Sequence, residues 1–327
     1  MLELREMDLR KPAFGKAARP GEPEQGAVGK AHRQTTLSNA YLRLDVEAGR
    51  HGGIAQLEWN DRGVWTPVFR QAQQRGHGAA PRRLSCQPSI WVQNVAQDIG
   101  ASATSSATQP VGANRRAPEV ALMGGWKVDS AGERSLRLIA EVAERCKAVQ
   151  TYELDGPTLE ITVELENTGD TPLPCEIEVS PVLVRDADTR ISAPAGGIWI
   201  ARENGNTPRL VPAPFAWQFG VTYPLPAKAV DHAFTGWGGR ALVEWPARQF
   251  SLAIVGNTDC YRLRAYPEDD SFSFQVMNDQ SEHRYIREGD GVCGLSVLAA
   301  GQTLSRRVSF TVERLASLTR AARYSTE

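Results

Sequence analysis

The sequence has no long apolar run, hardly any helix-period segment, no C-x-x-C pair and no excess of either charge. Each absence excludes something. A membrane-spanning helix needs about 20 consecutive apolar residues, and none of that length occurs. Residues 1–30 are rich in charge, Gly and Pro and contain no apolar signal-type segment, so the chain reads as cytoplasmic. The 37 Lys and Arg against 38 Asp and Glu leave a formal net charge of −1. With no basic stripe carrying interleaved aromatics, neither nucleic acid nor an anionic membrane is an expected partner. The five cysteines, Cys86, Cys146, Cys175, Cys260 and Cys293, are odd in number and widely spaced. They read as reduced thiols, not as a disulfide frame or a zinc site. A P-loop, a G-x-G-x-x-G turn, H-E-x-x-H and G-x-S-x-G are all missing, and no cofactor or metal is expected.

What is present is strand. In residues 41–46 and 158–166 apolar and polar side chains alternate strictly, the pattern of strands with one buried face. Similar runs occur at 54–59, 136–142, 149–154, 175–184, 241–245, 251–255, 261–265, 271–277, 292–298 and 304–312. Turn-forming clusters such as Asp155-Gly156-Pro157 and Asn167-Thr168-Gly169-Asp170 separate them. Many strands, short turns and no βαβ alternation predict one all-β domain, a large antiparallel sandwich. With 41% hydrophobic residues in 327, a sizeable core can be buried. The expected layout is a polar arm at 1–34, the sandwich at 35–315 and a tail at 316–327. Helical composition is confined to 314–323.

Two stretches read as irregular. Residues 101–118 are rich in Ser, Thr, Ala and Pro and form a long loop. Residues 193–223 scatter Trp199, Trp217, Phe219 and Tyr223 among Gly and Pro. Such aromatics either stack on a sugar or pin a loop to the sandwich, and pinning is the commoner role for any one of them.

From about Leu37 to Phe310 the order of segments resembles the aldose 1-epimerase (galactose mutarotase-like) family. The opening run Leu37-Ser38-Asn39-Ala40-Tyr41-Leu42 and the glycine turn around Gly52-Gly53 are similar to that family's start. The middle, from Gln150 through Asp155-Gly156 to Asn167-Thr168-Gly169-Asp170-Thr171-Pro172, resembles its strand-turn-strand pattern. So do Val230-Asp231-His232-Ala233-Phe234-Thr235-Gly236-Trp237 and Leu298-Ala299-Ala300-Gly301-Gln302 further on. The resemblance implies a galactose mutarotase-like sandwich with a carbohydrate ligand in its cleft. The family reaction opens an aldose at its anomeric carbon and recloses it on the other face, using a glutamate base, a histidine acid, and a second histidine and an arginine that orient the sugar.

Here those positions differ. The late strand puts Gln275 where the resemblance implies the base, and a carboxamide has no useful basicity near neutral pH. Ser180, in Glu178-Val179-Ser180-Pro181, stands in the acid's place; Met123 and Asn94 stand where the second histidine and the arginine are implied. Asp231 is the retained sugar-contacting position, its plainer role being to hold the following turn, and Trp237 is a further candidate contact. His77, and His283 with Asp279 and Glu282 just after the Gln275 strand, form an alternative acid/base set; solvated turn residues are the commoner explanation.

Two functions follow. One is a diverged carbohydrate-active, aldose 1-epimerase-like isomerase using the old cleft with new groups. The alternative is a non-catalytic sugar-binding or regulatory protein with a neutral hydrogen-bonding cleft. With the base replaced, slow or undetectable mutarotation of glucose and galactose is expected.

Overall fold

The computed structural model describes residues 34–48, 52–71, 84–92, 126–142, 145–200, 209–277 and 296–315. Residues 1–33, the loop at 101–118 and the tail at 316–327 lie outside them.

Strands are the dominant elements of the described residues, and no α-helix occurs among them. The first are β1 (Gln34–Ser38), β2 (Leu42–Glu47), β3 (Gly53–Asp61), β4 (Val64–Pro67) and β5 (Cys86–Val92). Next come β6 (Lys127–Ala131), β7 (Ser135–Val142), β8 (Cys146–Asp155), β9 (Thr158–Asn167) and β10 (Leu173–Val184). Shorter pieces follow: β11 (Arg190–Ser192), β12 (Gly197–Ile200), β13 (Arg209–Pro212) and β14 (Tyr223–Pro224). The last are β15 (Val230–Thr235), β16 (Arg240–Trp245), β17 (Phe250–Gly256), β18 (Cys260–Ala265), β19 (Ser271–Met277), β20 (Ser296–Leu298) and β21 (Thr303–Arg314).

They make two antiparallel sheets. One has twelve strands in the order β1-β2-β3-β5-β10-β19-β18-β15-β12-β13, with β4 on β3 and β20 on β10. The other has nine, ordered β14-β11-β16-β17-β21-β9-β8-β7-β6. Alternation explains the layering: Leu159, Ile161, Val163 and Leu165 on β9 are fully buried while the residues between them are not. Aromatic contacts bridge the two sheets. Trp59 of β3 meets Phe250 of β17 at 5.6 Å, and Phe69 meets Phe310 of β21 edge-on at 5.2 Å. Each such side chain, fully buried, contributes about 1.5–3 kcal/mol by removal from water.

Several expectations are corrected. The stretch 193–223 holds β12, β13, a 3₁₀ turn at Phe215–Trp217 and β14. Short strands rich in Gly and Pro lack the alternation by which strands are recognised. Arg314, read as the start of a helical tail, is the last residue of β21 and pairs with Phe250. Only its final residues, 296–298, place the predicted 292–298 strand inside the described part.

Candidate functional site

The site is built on the middle of the twelve-stranded sheet, where β5, β10, β19, β18, β15 and β12 lie side by side. Along β10, Cys175, Ile177, Val179 and Leu183 face the core. Glu176, Glu178, Ser180 and Val182 therefore face outward. On β19, Phe272, Phe274 and Val276 are buried in the core, which turns Ser271, Ser273, Gln275 and Met277 to the same outer side. Arg262 and Arg264 of β18 alternate likewise with buried Tyr261, Leu263 and Ala265.

Cross-strand register joins these into rows. Arg262 pairs with Gln275 on one side and Ala233 on the other, and Ala233 pairs with Trp199. Arg264 pairs with Ser273 and with Asp231. Across β10, Trp91 is opposite Glu176, Ser89 opposite Glu178, and Gln87 opposite Ser180. The register that matches Val179 with Val276 and Val182 with Ser273 sets Ser180 opposite Gln275. Directly opposed side chains of an antiparallel pair sit on one face within contact range.

Proline explains a break at this point. The β10–β19 pairing lapses at Ser180 and Pro181, because Pro181 has no N–H to give to the ladder. A proline in a central strand is a costly choice, and it falls in the row next to that of Gln275. Beneath the face the sheet is stiffened by aromatic packing. Tyr261 stacks on Phe234 at 4.8 Å and on Phe274 at 4.6 Å, and donates its hydroxyl to the Ala193 carbonyl at 2.8 Å. The backbone carrying Arg262 and Gln275 is thereby held in place.

Two charge groups occupy the face. In the first, Asp231 accepts from Arg262 Nε at 2.7 Å, from Arg264 Nε at 3.3 Å and from the Tyr266 hydroxyl at 3.0 Å. Burial pushes this carboxyl upward, but the Arg262 hydrogen bond and charge, with Tyr266 and Arg264, outweigh it and hold it below its ordinary value. Asp231 thus restrains two guanidiniums. In the second group, Glu178 accepts from Trp91 Nε1 at 3.3 Å and also hydrogen-bonds Gln275 and Glu176. Glu176 is 8% exposed; burial first, then the neighbouring Glu178 charge, push its carboxyl far upward. Burial likewise raises Glu178, against the hydrogen bonds from Trp91, Glu176 and Gln275.

Of the residues singled out from sequence, Gln275, Ser180 and Asp231 share this face. Trp237 does not: it is 2% exposed, packs edge-on against Tyr261 and Phe274, and donates Nε1 to the Arg240 carbonyl at 2.7 Å. It is a core residue. Asn94, Met123, His77, Asp279 and His283 lie outside the described residues. Among the loop aromatics, Phe219 is buried against Phe234 and Trp217 packs on His232 at 5.1 Å, both pinning the loop, while Trp199 stands on the outer face.

Glu176 and Glu178 add two carboxyl groups to the face that carries Gln275 and Ser180. Sequence reasoning passed over them and over Arg262 and Arg264, although strand alternation alone sets Glu178 on the side of Ser180. Among the described residues no group of three or more His, Cys, Asp or Glu side chains is arranged to hold a metal ion.

Comparison with known proteins agrees with this architecture. No family model matches the chain. The uncharacterized protein YphB of Escherichia coli K12 is 27% identical over 309 residues, spanning 86% of this chain and 99% of its own. Among solved structures, one named "Putative aldose 1-epimerase" from Escherichia coli K12 superposes with a TM-score of 0.65 at 24% identity, over 86% of this chain and 99% of its own. Galactose 1-epimerase from Lactobacillus acidophilus NCFM gives 0.59 at 14% identity, over 86% and 95% of the two chains. The GalM/aldose epimerase homologue from C. elegans gives 0.61 at 11% identity, over 88% and 100%. The sandwich is that of the galactose mutarotase-like structures, and at these identities the likeness establishes the fold.

Proposed function

We propose that this protein acts on a sugar as an aldose 1-epimerase-like catalyst, with the outer face around Gln275 as the sugar site. The observation that carries the reading is the position of Gln275, hydrogen-bonded to Glu178 on one side and paired with Arg262 on the other, at the interruption in the β10–β19 ladder. An amide flanked by a carboxyl group and a guanidinium presents both donors and acceptors to sugar hydroxyls.

Other features support it. Trp199 supplies an aromatic surface in the same cross-strand row, three strands from Gln275, suited to the C–H face of a pyranose. Several solved structures of the same fold carry the names of epimerases acting on aldoses or galactose. In this reading Gln275 and Ser180, at the family's base and acid positions, orient the sugar by hydrogen bonding and move no proton.

The test is polarimetry of freshly dissolved α-anomers, using neutral aldoses, uronic acids and sugar phosphates, with and without protein. Acceleration of at least one sugar that weakens in Gln275→Ala supports the reading. No acceleration of any of them contradicts it.

A further inference from the structure

Ring opening needs a group that can take a proton from the anomeric hydroxyl, and neither Gln275 nor Ser180 can do so. The face nevertheless holds two carboxyls at alternate positions of β10. Glu176 is buried and Glu178 is half-buried, and the two are hydrogen-bonded to each other. Glu178 accepts from Trp91, from Gln275 and from Glu176, an arrangement suited to an ionised carboxylate. Glu176 Oε1 is fully buried and has no hydrogen-bond partner among the described residues. An ionised oxygen so placed would be costly, so Glu176 holds the proton and donates it toward Glu178.

Among the described residues the other groups facing the pair are few. From β18 come Arg262 and Arg264; from β15 comes Asp231, already bound to both arginines and to Tyr266; from the other sheet Arg306 contributes its charge. The outward residues of β5 and β19 beside the pair, Gln87, Ser89, Trp91, Ser273, Gln275 and Met277, carry no charge.

We propose that Glu178, backed by Glu176, performs the proton transfers of sugar ring opening in place of Gln275 and Ser180. This inference rests on the sugar reading above. The anomeric hydroxyl and the ring oxygen are bonded to the same carbon, so one carboxylate can serve both. Glu178 takes the hydroxyl proton, and the O–H electron pair becomes the second bond of the carbonyl. The bond from the anomeric carbon to the ring oxygen breaks, and that oxygen receives the proton Glu178 has just accepted. After rotation about the adjacent carbon–carbon bond, the same steps reversed close the ring on the other face. No net proton, oxidant or co-reactant is needed. Glu176 is a positioning residue, acting through its hydrogen bond to Glu178.

The experiment follows mutarotation of the aldose that wild type accelerates most, alongside binding of that aldose by calorimetry. Glu178→Gln is expected to lose about 10²-fold or more in rate while still binding the sugar. Glu178→Ala with added formate should recover part of the lost rate, which a purely structural role would not allow. Glu176→Gln should retain activity with its acidic limb moved to higher pH, because an amide gives Glu178 a weaker hydrogen bond than a carboxylic acid does. If wild type accelerates an aldose but Glu178→Gln and Glu178→Ala stay within threefold of it, the role of Glu178 is overturned and the sugar reading stands. If wild type accelerates none, the sugar reading fails and the proton-transfer role fails with it.

Discussion

Glu176 and Glu178 stand at alternate, outward positions of β10, the first buried and the second half-buried, and burial with the neighbouring Glu178 charge pushes the Glu176 carboxyl far upward. With the proton held on Glu176, as proposed above, the pair carries one charge where two carboxylates would ordinarily carry two. That single relationship affects stability as well as chemistry.

The stability of the protein should fall as pH rises above 4.5, the ordinary glutamate value. A carboxyl whose folded value is raised binds its proton more tightly in the native state, so its contribution is complete at low pH and lost as pH climbs through the folded value. Glu176→Gln removes this loss. Its melting temperature should match wild type near pH 4.5 and exceed it at pH 8, by about 2–4 °C for each kcal/mol of relieved penalty. Thermal melts across that range check the sign.

Asp231 behaves in the opposite sense. Its folded value is lowered, so its contribution is present above 3.8 and disappears as pH falls through the folded value. With about a third of its side chain and of both arginine side chains exposed, water screens the cluster. Asp231→Asn should cost about 1 kcal/mol in urea denaturation at pH 7. The difference from wild type should shrink in strong acid.

The two tryptophans should separate by location. Trp237→Ala empties a buried aromatic site and should cost about 3–5 kcal/mol. Trp199→Ala, on the outer face, should leave urea stability within about 1 kcal/mol of wild type and weaken sugar binding. Equal loss of stability in both would contradict the assignment of faces.

The strands were legible because their alternation is local: β9 could be read residue by residue from 158 to 166. So was the facing of Gln275, since Phe272, Phe274 and Val276 fix the buried side of β19. The hairpin neighbours β18 and β19 follow each other in the chain, yet β10 reaches β19 across some ninety residues, and nothing local encodes that pairing. For this reason the meeting of Glu178 with Gln275 stayed hidden although both strands were recognised. Trp237 misled for a related reason: its place in the Asp231 segment suggested a shared face, while the chain turns at Gly236, whose φ of +72° suits glycine, and sends the indole into the core.

The most direct test is magnetisation exchange between the α- and β-anomer signals of an aldose already at equilibrium, recorded with catalytic amounts of protein. Saturating one anomer should diminish the other in the presence of wild type, and this transfer should vanish with Glu178→Gln. Transfer of equal size with both proteins would contradict proton transfer by Glu178, and its absence with wild type for every aldose would contradict a sugar-opening site on this face.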